Sequence, residues 1–71
     1  MEGRTRRRLP AEQLESELLF LVAKGFTNRE IGLRMGRTPT AIKALLQRTY
    51  LRLWVPNRVA LAAYARTRFD R

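Results

Sequence analysis

The chain has 71 residues, and its 15 lysines and arginines outnumber its 6 aspartates and glutamates, so the formal net charge is +9 at pH 7. One small domain is all this length allows, and the excess of positive charge favours a polyanionic partner, nucleic acid ahead of an anionic membrane surface. Because the sequence has neither cysteine nor histidine, we expect no disulfide, no metal site, no cofactor and no catalytic activity.

The N-terminal segment indicates where the folded domain begins and in which cellular compartment we expect the protein. Residues 1–8 (MEGRTRRR) are charged and aperiodic, which is typical of a flexible basic arm ahead of a domain at residues 9–71. The arm is either a contact to the minor groove or phosphates of DNA or a passive tail. No signal peptide follows it, and the longest apolar run, Leu18–Ala23, is too short to span a bilayer. We therefore expect a cytoplasmic protein without membrane contact.

The first predicted helix covers about residues 10–24. Pro10 suits a first helical turn, and Gly25 after Lys24 is a good C-terminal stop. Its apolar positions recur at helical spacing, namely Leu14, Leu18, Leu21 and Val22.

Two further helices are predicted by their capping residues. Thr27 and Glu30 have the spacing of a capping box, which starts a short helix at about residues 28–35 that ends at Gly36. Thr38 is the next N-cap, with Pro39 in the first helical position. This third helix runs to about residue 53 and has one apolar stripe, formed by Ile42, Leu46, Thr49 and Leu53 and broadened by Leu45 and Tyr50.

The last predicted helix covers about residues 58–68, with Asn57 as its cap. One of its faces can pack on the core: Leu61, Ala62, Ala65 and Phe69. The opposite face has no charge and consists of Ala60, Ala63, Tyr64 and Thr67. We interpret this second face as a homodimer contact, the alternative being a solvated face rich in helix-forming alanine. No segment has the pattern of a strand, so the sequence predicts an all-α fold of about four helices.

The short link Gly36-Arg37-Thr38 predicts a helix-turn-helix, in which the third helix can lie in a major groove. Lys43 and Gln47 lie four residues apart, opposite the apolar stripe. The candidate base-reading residues are Thr40, Lys43, Ala44, Gln47 and Arg48. Glutamine can pair with adenine, and lysine or arginine with guanine. The alternative is an ordinary solvated helix face.

The stretch G-F-T-N-R-E-I-G-L-R-M-G-R-T-P-T-A-I-K, followed by Leu53, Val55 and Asn57-Arg58, resembles the LuxR/GerE-type DNA-binding domain. That family has the pattern G-L-S-N-K-E-I-A-x-x-L-x-I-S-x-x-T-V-K, then K-L-x-V and N-R. The resemblance extends from about Leu14 to Ala65 without a gap between Gly25 and Arg58. It implies a bacterial transcription regulator with about four helices, whose third helix reads DNA and whose last helix often dimerises. The chain is most similar to small standalone members of the family.

The resemblance also implies contacts to phosphate. Thr27, Asn28 and Arg29 match the family's S-N-K segment, which contacts the DNA backbone at a helix N-terminus, where amides and the helix dipole favour an anion. Thr38 and Arg52 complete the candidate phosphate contacts. Glu30 matches a glutamate that we interpret as a cap, and Gly32 matches a small residue that allows close helix approach.

Three departures from the family pattern affect the structure we expect. Arg37 stands where an apolar residue is common, so the core is thinner there or is covered by the arginine stem. Leu45 replaces a frequent histidine. Trp54 replaces a glycine after the third helix, and because a left-handed backbone is costly for tryptophan, we expect this helix end to be rebuilt.

We therefore predict a sequence-specific DNA-binding transcription regulator that forms a homodimer and has RNA polymerase or another regulator as a further partner. Two alternatives stay open. One is a protein-interaction module that blocks another regulator, as an antiactivator does. The other is a domain like region 4 of a sigma factor, which also uses a helix-turn-helix, although this chain is too short for the other sigma regions.

Overall fold

A computed structural model describes residues 11–69, with side chains from residue 13 onward. It has four helices: α1 (Ala11–Ala23), α2 (Asn28–Met35), α3 (Pro39–Leu53) and α4 (Arg58–Phe69). Within the described residues there is no strand, so the predicted all-α class with four helices is confirmed. The predicted basic arm at residues 1–8 lies outside the described residues. No helix in the described range is long and apolar enough to cross a membrane.

Local capping explains where α2 and α3 begin. The Thr27 hydroxyl accepts a hydrogen bond from the Glu30 amide (3.1 Å), and the Glu30 carboxylate accepts one from the Thr27 amide (2.9 Å), which completes the predicted capping box. The Thr38 hydroxyl accepts from the Ala41 amide (3.1 Å) at the start of α3. Gly36 ends α2 with a left-handed backbone, at φ 69°. These short-range bonds fix the order and spacing of the two central helices.

The core forms where α1 packs mainly on α4 and α2 mainly on α3. Its buried apolar side chains are Leu18, Leu19, Leu21, Val22, Ile31, Ile42, Leu46, Leu61 and Ala65. Phe20 and Phe69 meet edge to face with ring centroids 5.5 Å apart, which joins α1 to the end of α4. Most of the apolar positions predicted from the sequence therefore lie in the core. Leu19 is buried although it was not predicted, and Leu53 is only half-buried.

Gly32 sets the distance between α2 and the link that follows it. A Cβ atom at this position would collide with the backbone carbonyl oxygen of Arg37. The Arg37 amide donates to the Gly32 carbonyl oxygen (2.8 Å), so the two backbones are in direct contact. Gly32 was predicted to allow two helices to approach closely, but the close approach is between α2 and the link, and Arg37 itself is exposed to solvent.

The end of α3 differs from our expectation. Trp54 caps the helix with a left-handed backbone (φ 60°, ψ 37°), and its amide donates to the Tyr50 carbonyl oxygen. The Val55 amide donates to the same carbonyl (3.1 Å), so the chain turns as it would at a glycine. The prediction of a rebuilt helix end was wrong, because the turn keeps its geometry and the tryptophan backbone adopts the strained conformation.

The faces of α4 are partly as predicted. Leu61 and Ala65 are buried, and Ala62 and Phe69 pack against the core. On the opposite side Ala63 and Thr67 are exposed, but Ala60 and Tyr64 are half-buried. The solvent-facing side of α4 is therefore rotated from the predicted one, because Tyr64 also packs against the core and Val59 is exposed instead.

Candidate nucleic-acid interface

The outer face of α3 carries the candidate base-reading residues. The structure exposes all five: Thr40, Lys43, Ala44, Gln47 and Arg48. They lie opposite Ile42, Leu46 and Thr49, which hold α3 in the core. The Thr49 hydroxyl donates to the Leu45 carbonyl oxygen (2.8 Å), so the polar group in this buried stripe is satisfied. The first turn of α3 contains no acidic residue. The result is a cationic and amide-bearing surface without a neighbouring carboxylate at its N-terminal end.

Leu51 also lies on this face, and the sequence analysis did not assign it a role. It follows Gln47 by four residues, and its side chain is 80% exposed. The spacing alone would have placed it there. The buried positions of α3 are Ile42, Leu46 and Thr49, so Leu51 is not needed in the core.

The N-terminus of α2 brings together the candidate phosphate contacts. Thr27 and Arg29 are exposed, and Asn28 is half-buried. Because Thr27 already caps the helix, its hydroxyl is an acceptor for the Glu30 amide, and the Arg29 side chain supplies the positive charge. The other bond of the capping box, in which the Thr27 backbone amide donates to the Glu30 carboxylate, is the main cause that lowers the pKa of Glu30 below its ordinary value.

Arg58 supports this end of α2 and was not recognised from the sequence. Its Nη1 donates to the Asn28 side-chain oxygen (2.6 Å), and its Nη2 donates to the Phe26 carbonyl oxygen (2.5 Å). Asn57, one residue earlier, caps α4 by accepting from the Ala60 amide (2.9 Å), as predicted. The Asn57-Arg58 pair therefore starts α4 and fixes Asn28. The side-chain oxygen of Asn28, a predicted phosphate contact, already accepts a hydrogen bond from Arg58 within the protein.

Arg52 is bound to α1. Its Nε and Nη2 each donate to a different carboxylate oxygen of Glu15 at 2.8 Å, which is a bidentate ion pair. The Glu15 hydrogen bond and charge raise the pKa of Arg52 above its ordinary value. The predicted phosphate contact of Arg52 is thus a contact that this guanidinium would have to make in addition to its bond with Glu15.

A third arginine, Arg34, contacts an aromatic ring. The Arg34 guanidinium lies over the Phe26 ring at 3.9 Å from its centroid. Thr38, the N-cap of α3, lies four residues after Arg34 in the sequence and is exposed.

Within the described residues no group of acidic side chains is arranged to hold a metal ion. Of the charged side chains named at this interface, Glu30 is bound to the Thr27 amide and Glu15 to Arg52, and the others are positive, which suits a polyanion.

The family model described as bacterial regulatory proteins, luxR family, matches residues 13–65, which include all of α2 and α3 and most of α1 and α4. Comparisons with curated proteins and with solved structures give no match.

Proposed function

Because this chain belongs to the LuxR family of bacterial regulatory proteins, we propose that it regulates transcription by binding specific DNA sequences through the outer face of α3. Family membership gives the general function of a DNA-binding regulator. The observation that supports the specific proposal is the surface of α3, where Lys43, Gln47 and Arg48 are exposed on the side opposite the core. A helix of this kind, presented by a helix-turn-helix, fits the major groove.

We assign phosphate anchoring to the N-termini of the two central helices. Thr27, Asn28 and Arg29 start α2, and Thr38 starts α3. The positive end of each helix dipole favours a phosphate at such positions. Arg58 contributes indirectly, because it holds Asn28 in place through a hydrogen bond to the side-chain oxygen. Arg52, in the last turn of α3, would contact the DNA backbone in addition to its ion pair with Glu15.

The experiment that tests the proposal is selection of bound sequences from a random DNA pool, followed by affinity measurements at several salt concentrations. We expect one preferred sequence and a steep loss of affinity with salt. Gln47→Ala should cost about 1–3 kcal/mol on that sequence and change the preferred base at one position. Failure to enrich any sequence would contradict the proposal.

Arg29→Ala tests the phosphate contact separately. It should weaken binding to the selected and to random DNA alike, and it should reduce the salt slope by about one charge. Arg66→Ala, which removes an exposed arginine from α4, is the matched control and should keep more of the slope. Equal slopes for the two variants would contradict the anchoring role of Arg29.

We also propose that the functional unit is a homodimer joined through α4. The candidate contact consists of Ala60, Ala63, Tyr64 and Thr67, to which the exposed Val59 now adds apolar area. A two-fold contact of this kind would present two copies of α3 to half-sites about 34–36 Å apart.

A second candidate function is a protein-interaction module. The observation that favours it is the exposure of large apolar side chains outside the α3 face, above all Trp54 at 92% and Val59 at 79%. Such a module would bind another regulator, and its affinity for random DNA would be weak at all salt concentrations. The pool selection therefore distinguishes the two candidates.

A further inference from the structure

Leu51 occupies the part of the α3 face where a base-reading side chain would lie. It comes four residues after Gln47 and seven after Ala44, so all three lie on one side of the helix. Its side chain is 80% exposed. A single exposed leucine is common on protein surfaces. Leu51 is unusual because it lies in line with the residues that we assign to base reading.

The chemistry of the major groove gives an apolar side chain one kind of partner. Among the four bases only thymine presents a methyl group there, at C5 and beside its hydrogen-bond acceptor. Leucine cannot satisfy a donor or acceptor that it covers, and an unsatisfied polar group is costly. Contact between Leu51 and DNA therefore favours thymine and disfavours the other three bases.

The dimensions of helix and groove place this contact. With a rise of about 1.5 Å per residue, Leu51 lies about 6 Å along the axis from Gln47, or about two base-pair steps of 3.4 Å. A straight helix lies closest to the curved groove at the middle of the contact. If α3 lies in the groove, the small side chain of Ala44 suits the closest approach, and the longer side chain of Leu51 would span the wider gap farther along the helix.

We propose that Leu51 determines sequence specificity by contacting the 5-methyl group of a thymine within about two base-pair steps of the base read by Gln47. This inference rests on the proposed function, since it requires α3 to lie in the major groove. It adds one chemical requirement to the DNA sequence that α3 recognises, namely a 5-methylpyrimidine. The lysine, glutamine and arginine of the same face do not specify this base.

The test replaces each thymine of the selected sequence, one at a time, with deoxyuridine, which removes only the methyl group. For the unchanged protein we expect one thymine whose replacement weakens binding about fourfold, the equivalent of about 0.8 kcal/mol for one buried methyl-sized group. Leu51→Ala should bind the thymine and uracil sequences equally well. Leu33→Ala is the matched control, because Leu33 is 77% exposed but lies on α2, and it should keep the fourfold difference.

The outcomes separate this inference from the proposed function. If a sequence is selected but no deoxyuridine weakens binding of the unchanged protein, the contact of Leu51 is refuted while DNA recognition stands. The same holds if Leu51→Ala keeps the full preference for thymine. If no sequence is selected at all, both the proposed function and this inference fail. The scan with the unchanged protein decides the question even if Leu51→Ala does not fold.

Discussion

Arg52, near the end of α3, forms a bidentate ion pair with Glu15, near the start of α1, and both hydrogen bonds are 2.8 Å long. The Glu15 side chain is only 17% exposed, whereas that of Arg52 is 66% exposed. The pair joins two helices whose backbones otherwise make few contacts with each other. It therefore fixes the C-terminal part of the helix that we place in the major groove.

We expect Glu15→Gln to lower the melting temperature by a few degrees at most, because the Arg52 side of the pair is largely exposed and ion pairs with an exposed partner stabilise weakly. The difference from the unchanged protein should shrink in 1 M salt, where charges are screened beyond about 3 Å. Thermal unfolding followed by circular dichroism at low and high salt measures both effects. Glu17→Gln, two residues farther along α1, is the control and should show a smaller salt-dependent difference.

Arg52→Ala distinguishes the ion pair from a phosphate contact. If Arg52 acts through Glu15, Arg52→Ala and Glu15→Gln lower the melting temperature alike and the salt slope of DNA binding stays unchanged. A slope reduced by about one charge in Arg52→Ala would instead establish the predicted phosphate contact in addition to the ion pair.

The parts of the structure that depend on neighbouring residues could be predicted from the sequence. The capping box of Thr27 and Glu30 and the N-cap at Thr38 formed as expected, because each is decided within three residues. The exposed positions of Lys43 and Gln47 followed from helical periodicity. Their role in reading bases is still a prediction.

The contacts that could not be predicted join distant parts of the chain. Arg52 and Glu15 are 37 residues apart, and Arg58 and Asn28 are 30 residues apart, so no local pattern pairs them. Leu19 was missed because it lies in a continuous apolar run whose inward face is ambiguous. At Trp54 the tertiary structure outweighed the local backbone preference.

Relief of the strain at Trp54 gives a third prediction. A left-handed backbone costs a residue with a Cβ atom about 1–2 kcal/mol, and the exposed indole ring has little packing to lose. Trp54→Gly should therefore raise the free energy of unfolding by about 1 kcal/mol. Urea unfolding followed by circular dichroism measures it. Trp54→Ala keeps the Cβ atom, so its free energy of unfolding should change little. A glycine variant less stable than the unchanged protein would mean that the indole ring contributes packing.

The capping box makes the stability of α2 depend on pH. Because hydrogen bonding to Thr27 lowers the pKa of Glu30 in the folded protein, the unfolded chain binds a proton at this residue first as the pH falls. The stabilisation is complete above the ordinary pKa of 4.5 and is lost as the pH falls through the lower folded value. Glu30→Gln can keep the hydrogen bond but cannot titrate. The melting temperatures of the two proteins should converge below pH 4.5, and a constant difference down to strongly acidic pH would contradict this account.

Self-association through α4 is best tested at Ala63. This residue is exposed on the proposed contact, whereas Tyr64 is half-buried and accepts a hydrogen bond from Arg68 Nη1 (3.3 Å), so changing Tyr64 would also disturb the monomer. Ala63→Arg places two like charges opposite each other across a two-fold axis. We expect a folded monomer in sedimentation experiments.

The DNA readout of the same variant depends on the number of half-sites. Ala63→Arg should bind one half-site as well as the unchanged protein does, but it should bind a two-half-site DNA on the order of 100-fold more weakly, because the second contact is no longer tethered to the first. Leu33→Arg adds the same charge to an exposed position of α2 and should leave the dimer intact. If the unchanged protein sediments as a monomer at high concentration and also on the two-half-site DNA, the exposed face of α4 is a solvated surface and each copy of the protein reads DNA alone.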